Sequence, residues 1–544
     1  VEHGARLSDV RALPRVTTAA QSAARDQAAI AAGVPSFDLM QRAGATAAAL
    51  ILRDYADGLA DGVALCAGPG NNGGDAYLVA AQLARAGVTV RLHATAPPRT
   101  PDAQRAARLA TPALVHGEPT GHERLVVDGI LGTGHRGALR GEAAGACARV
   151  GVLRAAGARV VALDVPTGLD ASTGAIADGS VPAHVTVSFG TLKRGHLLRR
   201  DHVGRLVLLD IGLDGDADRV GDHDDGAWHW PDPRSLGARV PTIAWDAHKG
   251  TRGRIAIIGG AAGMAGAVVL ATQAALAAGV GLAHAIVHDM SVAALQHGVV
   301  QAITHRWPPP LAAERGDPSD AEPEQAAYDA IAIGPGLGRS RESAQLLERR
   351  LLLHPGIPLV LDADALWLAA DAAAARGTDA ASMLRHWTRD ATHTVCTPHP
   401  GEFARLVGRA LPAAWEDRAA LLAEFSRRAG TTVLLKGAPT LVAHAHDALV
   451  AVPYGTPLLS TGGSGDCLTG IVVTLLAQGC SAADAAVLGA GVHGLAAERA
   501  TAALGHVRGS TLDDLLAQLP ATWRSLERAS PPSPGVLAEL PAVS

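Results

Sequence analysis

The run Gly463-Ser464-Gly465-Asp466, preceded by Thr461-Gly462, joins a turn of glycines to an acid. Glycines at the mouth of a helix leave several backbone N–H groups aimed at one point, a geometry that stabilises charge building on a transferring phosphoryl group. Asp466, at the start of that helix, stands where a carboxylate can take the proton of an attacking hydroxyl. Its plainer role is a helix N-cap. Lys436-Gly437-Ala438-Pro439-Thr440 follows an apolar strand and offers an ammonium to a nucleotide phosphate. Three further motifs are expected to converge on the same place. His248-Lys249-Gly250 precedes a strand that ends in Gly259-Gly260 and runs on to Ala267. Gly334-Pro335-Gly336-Leu337-Gly338 follows another strand. In Thr397-Pro398-His399-Pro400-Gly401-Glu402 two prolines fix the backbone of His399 and present it to a cleft.

A second set of residues lies in the first half. Gly68-Pro69-Gly70-Asn71-Asn72-Gly73-Gly74-Asp75 sits between an apolar strand and a helix, where ligands bind in open α/β sheets. The helix N-terminus suits an anion such as phosphate. The alternative is a Gly/Asn turn capped by Asp75. Gly132-Thr133-Gly134-His135-Arg136-Gly137-Ala138 forms another glycine-rich turn, with Arg136 a forked partner for phosphate. Asp128 and Asp164 each end an apolar run, so both project from one sheet edge. One could act as a general base while the other holds a cation, or both could cap helices. Oxygen donors from Asn72, Asp128 and Thr167 suit a group I or II metal better than zinc.

The elements that must carry these groups alternate strand and helix, the mark of a parallel sheet covered by helices. Helical spacing runs over residues 18–55 with a turn at Gly33-Val34-Pro35, and again over 75–86. Short strands are expected at 63–67, 88–93, 125–128 and 160–164. Residues 212–233, rich in Asp and Gly, read as a linker. A second alternating series starts at residue 254, with further strands at 330–333, 358–361, 394–397 and 432–435. Residues 308–323 read as a surface loop and 526–544 as a disordered tail. The fold class is therefore α/β in two domains, 1–222 and 235–525.

Composition narrows the partners. A net charge of −5 argues against nucleic-acid binding, which needs a basic face. No stretch reads as a membrane span or a signal peptide, which leaves the cytoplasm as the expected location. Five cysteines without a CxxC pair read as free thiols in a reducing compartment. Only Lys193, Lys249 and Lys436 are lysines, among 47 basic residues, and all sit near glycines. A chain so tilted to Arg can retain Lys where a compact ammonium matters.

In the first 220 residues, the helices around Asp26, the run Leu39-Met40-Gln41-Arg42-Ala43-Gly44, the Asn71–Asp75 loop, Val127-Asp128-Gly129-Ile130-Leu131-Gly132-Thr133-Gly134 and Leu163-Asp164-Val165-Pro166-Thr167-Gly168 resemble the NAD(P)H-hydrate epimerase domain, a Rossmann-like three-layer sandwich. The resemblance implies interconversion of the R and S hydrates of NADH or NADPH at C6. It implies K+ on Asn72, Asp128 and Thr167. It implies substrate held by Asn71, Asn72, Gly73, Gly74 and Asp75, and by Gly132, Thr133, Gly134, His135, Arg136, Gly137 and Ala138. Asp164 would contact substrate and transfer the proton. Thr167 stands where Ser is usual, and Ala76 where Gly is usual.

Residues 240–520 resemble the ribokinase-like superfamily, in its NAD(P)H-hydrate dehydratase branch, with Thr397–Glu402 the strongest discriminator. By that resemblance Ala267, Gly338, His399 and Asp466 touch substrate. Lys436, Gly437, Ala438, Pro439, Thr440 and Gly465 bind the adenine nucleotide, ADP or ATP with Mg2+. Ser464 replaces the usual Thr. Expected partners are small molecules only, with neither nucleic acid nor membrane, in a homo-oligomer. Two rivals stay open on sequence: a kinase of a vitamin-like alcohol, and a nucleotide sensor without turnover.

Overall fold

The computed structural model describes residues 13–111, 114–213, 226, 228–307, 328–353, 356–388, 393–444, 448–529 and 533–543. Two compact units form. One comprises Pro14–Asp232 with Ser530–Val543, and the other is built on Pro233–Ala529. Each is considered by itself.

The first unit carries β1 (Arg15–Thr17), β2 (Val63–Ala67), β3 (Val90–Ala94), β4 (Val115–His116), β5 (Leu125–Gly129), β6 (Arg159–Leu163), β7 (Val185–Phe189), β8 (Leu192–Lys193), β9 (Arg205–Leu209) and β10 (Trp228–His229). Its main sheet runs β9-β7-β6-β5-β2-β3-β4, all parallel. β2, β5 and β6 are apolar almost throughout because helices cover both faces. Successive side chains alternate between those faces. Val63, Leu65 and Ala67 pack with helices Ser36–Asp54 and Asn71–Arg85, while Ala64 and Cys66 pack with Cys147, Val150 and Leu153 of helix Gly141–Ala155.

The second unit carries β11 (Arg254–Gly259), β12 (Leu282–His288), β13 (Ile303–Trp307), β14 (Ala330–Ile333), β15 (Leu359–Leu361), β16 (Thr394–Cys396), β17 (Thr432–Leu435), β18 (Thr440–Ala443) and β19 (Leu449–Val452). The order β13-β12-β11-β14-β15-β16-β17 is parallel, and β18 and β19 extend it antiparallel.

Both sheets reverse direction once. In the first unit the chain builds outward from β2 through β3 to β4, then restarts at β5 and builds the other way. In the second it builds from β11 to β13, then restarts at β14. A parallel sheet opens a crevice at such a point, outside the carboxyl ends of the strands. The loops after β2 and β5, and those after β11 and β14, border these crevices. They contain the glycine-rich motifs.

Several expectations are corrected. Helix Asn71–Arg85 starts at Asn71, so the supposed loop is the first turn and a half of the helix. Within the expected linker, Trp228 and Trp230 are buried, and β10 pairs antiparallel with β1. Residues 214–225 and 308–323 lie outside the described residues. The tail expected to be disordered instead supplies β20 (Val536–Leu540), antiparallel to β9 at the sheet edge. Its alternation explains this. Val536, Ala538 and Leu540 are buried, while Glu539 pairs with Arg205 at 3.1 Å. The Pro/Ser-rich stretch before it hides that short pattern.

Burying a Val and a Leu contributes about 1.5–3 kcal/mol each. A chain ending at residue 529 is therefore expected to lose about 3 kcal/mol of stability in the first unit. Thermal denaturation should show its first transition shifted down. A melt superimposable on that of the full chain would contradict the role of this strand.

Candidate active sites

At the crevice of the first unit lies a cavity of about 840 Å3. Asn71, Asn72 and Asp75 line it from the helix start, Gly132, Thr133, Gly134, His135 and Arg136 from the loop after β5, and Asp164 from the end of β6. Gly73 and Gly74 are buried behind the surface, where the helix must pass close to the chain: a Cβ on Gly73 would lie 1.8 Å from the Gly68 carbonyl oxygen. Gly137 and Ala138 are not part of the wall. Arg136, expected to fork onto a phosphate, donates to the carbonyls of Thr133 and His135 and sits 3.3 Å from Asp170.

Two groups that the motif reading did not assign also line this cavity, Asp26 and Lys193. Lys193 is 1% exposed. Its ammonium meets the Asp164 carboxylate and donates to Ser188 Oγ at 3.1 Å and the Phe189 carbonyl at 3.3 Å. All three of its donors are thus engaged. Asp164 has a φ of +63°, rare for a residue with a Cβ, and strain of this kind gathers at working sites. His196 Nε2 lies 2.8 Å from the Asp164 carbonyl oxygen and helps fix this conformation. Burial and the Lys193 ammonium pull His196 down to about 3, so it is neutral. Burial pushes the carboxyls of Asp26 and Asp75 up.

Beneath the cavity floor, Thr167 donates to Asp128 from both its amide (2.8 Å) and its hydroxyl (2.6 Å), and the Ile130 amide donates at 3.2 Å. Burial nonetheless pushes the Asp128 carboxyl up, as for an anion short of a counter-charge. The buried side-chain oxygen and nitrogen of Asn72 have no hydrogen-bond partner among the described residues. Gly132 packs against the Asn72 side chain. A buried carboxylate, a hydroxyl and an unpartnered amide oxygen form a hard-oxygen donor set that fits a cation such as K+.

In the second unit the carboxyl ends of β15, β16 and β17 deliver Asp362, the Thr397–Glu402 turn and Lys436. Asp362 is 1% exposed and at the centre of a network. Its carboxylate accepts from Lys436 Nζ at 2.7 Å, Thr397 Oγ1 at 2.8 Å and Thr469 Oγ1 at 2.8 Å. Gly465, in the first turn of helix Ser464–Ala477, lies against that ammonium: a Cβ there would be 2.9 Å from Lys436 Nζ. Asp466 on the same turn is pushed up to about 7, first by burial and then by Asp362. Lys436 pulls the other way, and Asp364 and Glu402 add to the rise. Asp364 in turn accepts from the Gly338 amide at 2.9 Å, tying the Gly334–Gly338 loop to the site. Ala363 between the two acids has a φ of +46°. Gly336 packs against Ala267, so the loops after β11 and β14 meet.

His399 both caps and faces solvent. Its Nδ1 accepts from the Gly401 amide at 3.0 Å, and the Glu402 carboxylate accepts from the His399 amide at 2.8 Å. Its Nε2 lies 3.4 Å from the Glu402 carboxylate, and the ring is otherwise exposed. The Ser464 hydroxyl donates to the Leu459 carbonyl at 2.7 Å, so its replacement of Thr leaves the backbone donors as they were. One motif does not converge. His248-Lys249-Gly250 precedes β11, and Lys249 is exposed with its backbone carbonyl packed on Gly281, just before β12. Residues ahead of a parallel strand lie at the opposite edge of the sheet from those that follow it. The scarcity of lysine was the signal that could have found Lys193. Asp362 carried the signal used for Asp128 and Asp164, an Asp directly after an apolar run, but the motifs around it drew the reading elsewhere.

Residues 36–195 match the family model described as YjeF-related protein N-terminus, and residues 255–521 match the model described as NAD(P)H-hydrate dehydratase. The bifunctional NAD(P)H-hydrate repair enzyme Nnr of Moorella thermoacetica is 34% identical over 536 residues, covering 91% of this chain and 93% of that protein. The enzyme of the same name from Escherichia coli is 34% identical over 510 residues, covering 91% and 90%. A crystal structure titled ADP/ATP-dependent NAD(P)H-hydrate dehydratase from Bacillus subtilis, co-crystallised with ATP/Mg2+, is 28% identical with a TM-score of 0.44, covering 55% of this chain and 98% of that one. With both domain models matched in order and relatives aligned over nine-tenths of its length, the chain belongs to the family of bifunctional NAD(P)H-hydrate repair enzymes.

Proposed function

We propose that the two activities divide between the two crevices. The first unit interconverts the R and S hydrates at C6, with Asp164 moving the proton. The second dehydrates the S hydrate at the expense of ADP or ATP. The observation that carries the reading is the Asp466 carboxyl on the first turn of a helix, next to Gly465, which packs on the Lys436 ammonium where it holds Asp362.

Hydroxide is a poor leaving group and phosphate a good one. Asp466 takes the proton of the C6 hydroxyl as its oxygen attacks the terminal phosphoryl of the nucleotide. Backbone donors of the Gly463–Gly465 turn and the Lys436 ammonium hold the charge that develops there. Loss of a proton from C5 then expels phosphate from C6 and restores the C5–C6 double bond. With ADP the products are NAD(P)H, AMP and phosphate. Ala267, Gly338 and His399 bound the hydrated nicotinamide, and Gly437, Ala438, Pro439 and Thr440 bound the nucleotide. Mg2+ arrives with the nucleotide; the acids Asp362, Asp364, Glu402 and Asp466 outnumber Lys436, a balance that suits a cation-bearing ligand. In the first unit K+ on Asn72, Asp128 and Thr167 would neutralise the buried carboxylate and hold the substrate-binding helix start against the Thr167 turn. The cysteines are free thiols, which suits a reducing cytoplasm. No described helix is long and apolar enough to cross a membrane.

Supplying S-hydrated NADH with Mg2+ and either nucleotide should restore the reduced-nicotinamide absorbance. Asp466→Asn should lower kcat by about 10^2–10^4, the usual contribution of a general base. Unchanged turnover, or a stable phosphorylated product without recovered NADH, would contradict the assignment.

The acid–base state of Asp466 gives a second expectation. A base works only when ionised, and this carboxyl ionises near 7. The kcat/KM of dehydration should therefore fall as pH drops through about 7 and level off above it. A profile flat from pH 5 to 8 would count against Asp466 as the base.

Replacing K+ by Li+ should weaken epimerisation, because the smaller ion cannot span the same oxygens, and leave dehydration of the S hydrate unaltered. Equal epimerisation rates in the two salts would remove K+ from the site.

A further inference from the structure

The geometry points to Asp75 as the acid of the epimerisation, working with Asp164 as the base across one cavity. The inference rests on the epimerase reading of the first unit and goes beyond it, since that reading makes Asp75 a binding residue only.

Four carboxyls line this cavity. Asp102, from helix Pro101–Ala110, accepts from Ser36 Oγ at 2.7 Å. The other three come from separate elements: Asp26 from helix Ala19–Ala31, Asp75 from helix Asn71–Arg85 and Asp164 from the turn after β6. The Lys193 ammonium is bonded to Asp164 and attracts Asp26 and Asp75, and Arg25 adds to the attraction on Asp26. Like charges gathered around one buried cation do not all ionise. For Asp26 the largest influence after burial is attraction to Lys193, which offsets part of its rise. For Asp75 the largest influences after burial are repulsion from Asp164 and then Asp26, so its carboxyl stands well above the usual range and holds its proton. The cavity thus sets a carboxyl that keeps its proton opposite one paired with an ammonium. Two carboxyls in such unlike surroundings can divide acid and base roles between them.

The substrate carbon calls for such a pair. C6 of the hydrate bears a hydroxyl and is bonded to N1. Asp75 gives its proton to the hydroxyl, the C6–O bond breaks and water departs. The N1 lone pair moves in to form the C6=N1 iminium. Water then adds to the other face of C6, and Asp164 accepts the proton it loses. The proton passes back from Asp164 to Asp75, directly or through water in the cavity, because Lys193 favours the Asp164 anion. Atoms and charge balance, and no co-reactant is needed.

The test uses the full chain and separated hydrate epimers. In water enriched in oxygen-18, the inverted hydrate should carry solvent oxygen, after correction for uncatalysed exchange. Retention of the original oxygen would overturn the proposal in favour of N1–C6 cleavage. Asp75→Asn should lower the kcat of epimerisation at least about 100-fold with KM within a few-fold. Asp75→Glu, which keeps an acid, should retain measurable turnover, and Asp26→Asn should cost less than about 10-fold. Epimerisation by Asp75→Asn within a few-fold of the parent chain, or a larger loss in Asp26→Asn, would overturn it. Thermal melts of the same variants report folding of the first unit, and dehydration of the S hydrate reports that of the second. If the parent chain itself fails to epimerise, the epimerase reading falls and this inference with it. If the parent epimerises and Asp75→Asn does too, only the inference falls.

Discussion

Each crevice is organised around one lysine held by a buried or half-buried aspartate, the lysine fully buried in the first unit and partly exposed in the second. Lys193 closes on Asp164 in the first unit, and Lys436 on Asp362 in the second. Removing one partner of a buried ion pair leaves an uncompensated charge, commonly at a cost of about 3–5 kcal/mol. Such pairs therefore fix what surrounds them. In the first unit the pair fixes Asp164 at the cavity wall, where Asp26 and Asp75 also face it. In the second it holds the ammonium against Gly465, where any side chain would press on it, and leaves Asp466 without an ion pair among the described residues.

The surrounding fold exists to bring these groups to one edge. Parallel strands point their carboxyl ends the same way, so residues that follow the strands meet and residues that precede them do not. That rule places Asp128, Asp164, Asp362, His399 and Lys436 near their sites. It also removes His248 and Lys249 from theirs. The same rule explains why backbone strain falls at Asp164 and Ala363, both directly after a strand or next to its last acid.

Much of this was legible in the sequence. The strand at 432–435 and the glycine turn before Asp466 emerged at the expected residues, because apolar runs buried on both faces are hard to misread. Asp128 and Thr167, grouped in the sequence with Asn72, are hydrogen-bonded to each other. Less legible were features set by tertiary contacts. β20 is five residues of alternation behind prolines, and it becomes a strand only because β9 offers an open edge. Asp362 and Lys193 lack a motif of their own, and only burial shows that one ammonium must serve several acids. His399 was expected to face a cleft, and its second role, Nδ1 capping the helix that follows, shows only in the structure.

Two sites on one chain make sense for a substrate that exists as two epimers, of which one is dehydrated. The most direct test is complementation. Asp164→Asn and Asp466→Asn chains are prepared separately and given the R hydrate with ADP, Mg2+ and K+. Each alone should leave NADH recovery at the uncatalysed rate, and a mixture of the two should restore it. A mixture that stays inactive, or an Asp164→Asn chain that recovers the R hydrate as fast as the parent, would contradict a division of labour between Asp164 and Asp466.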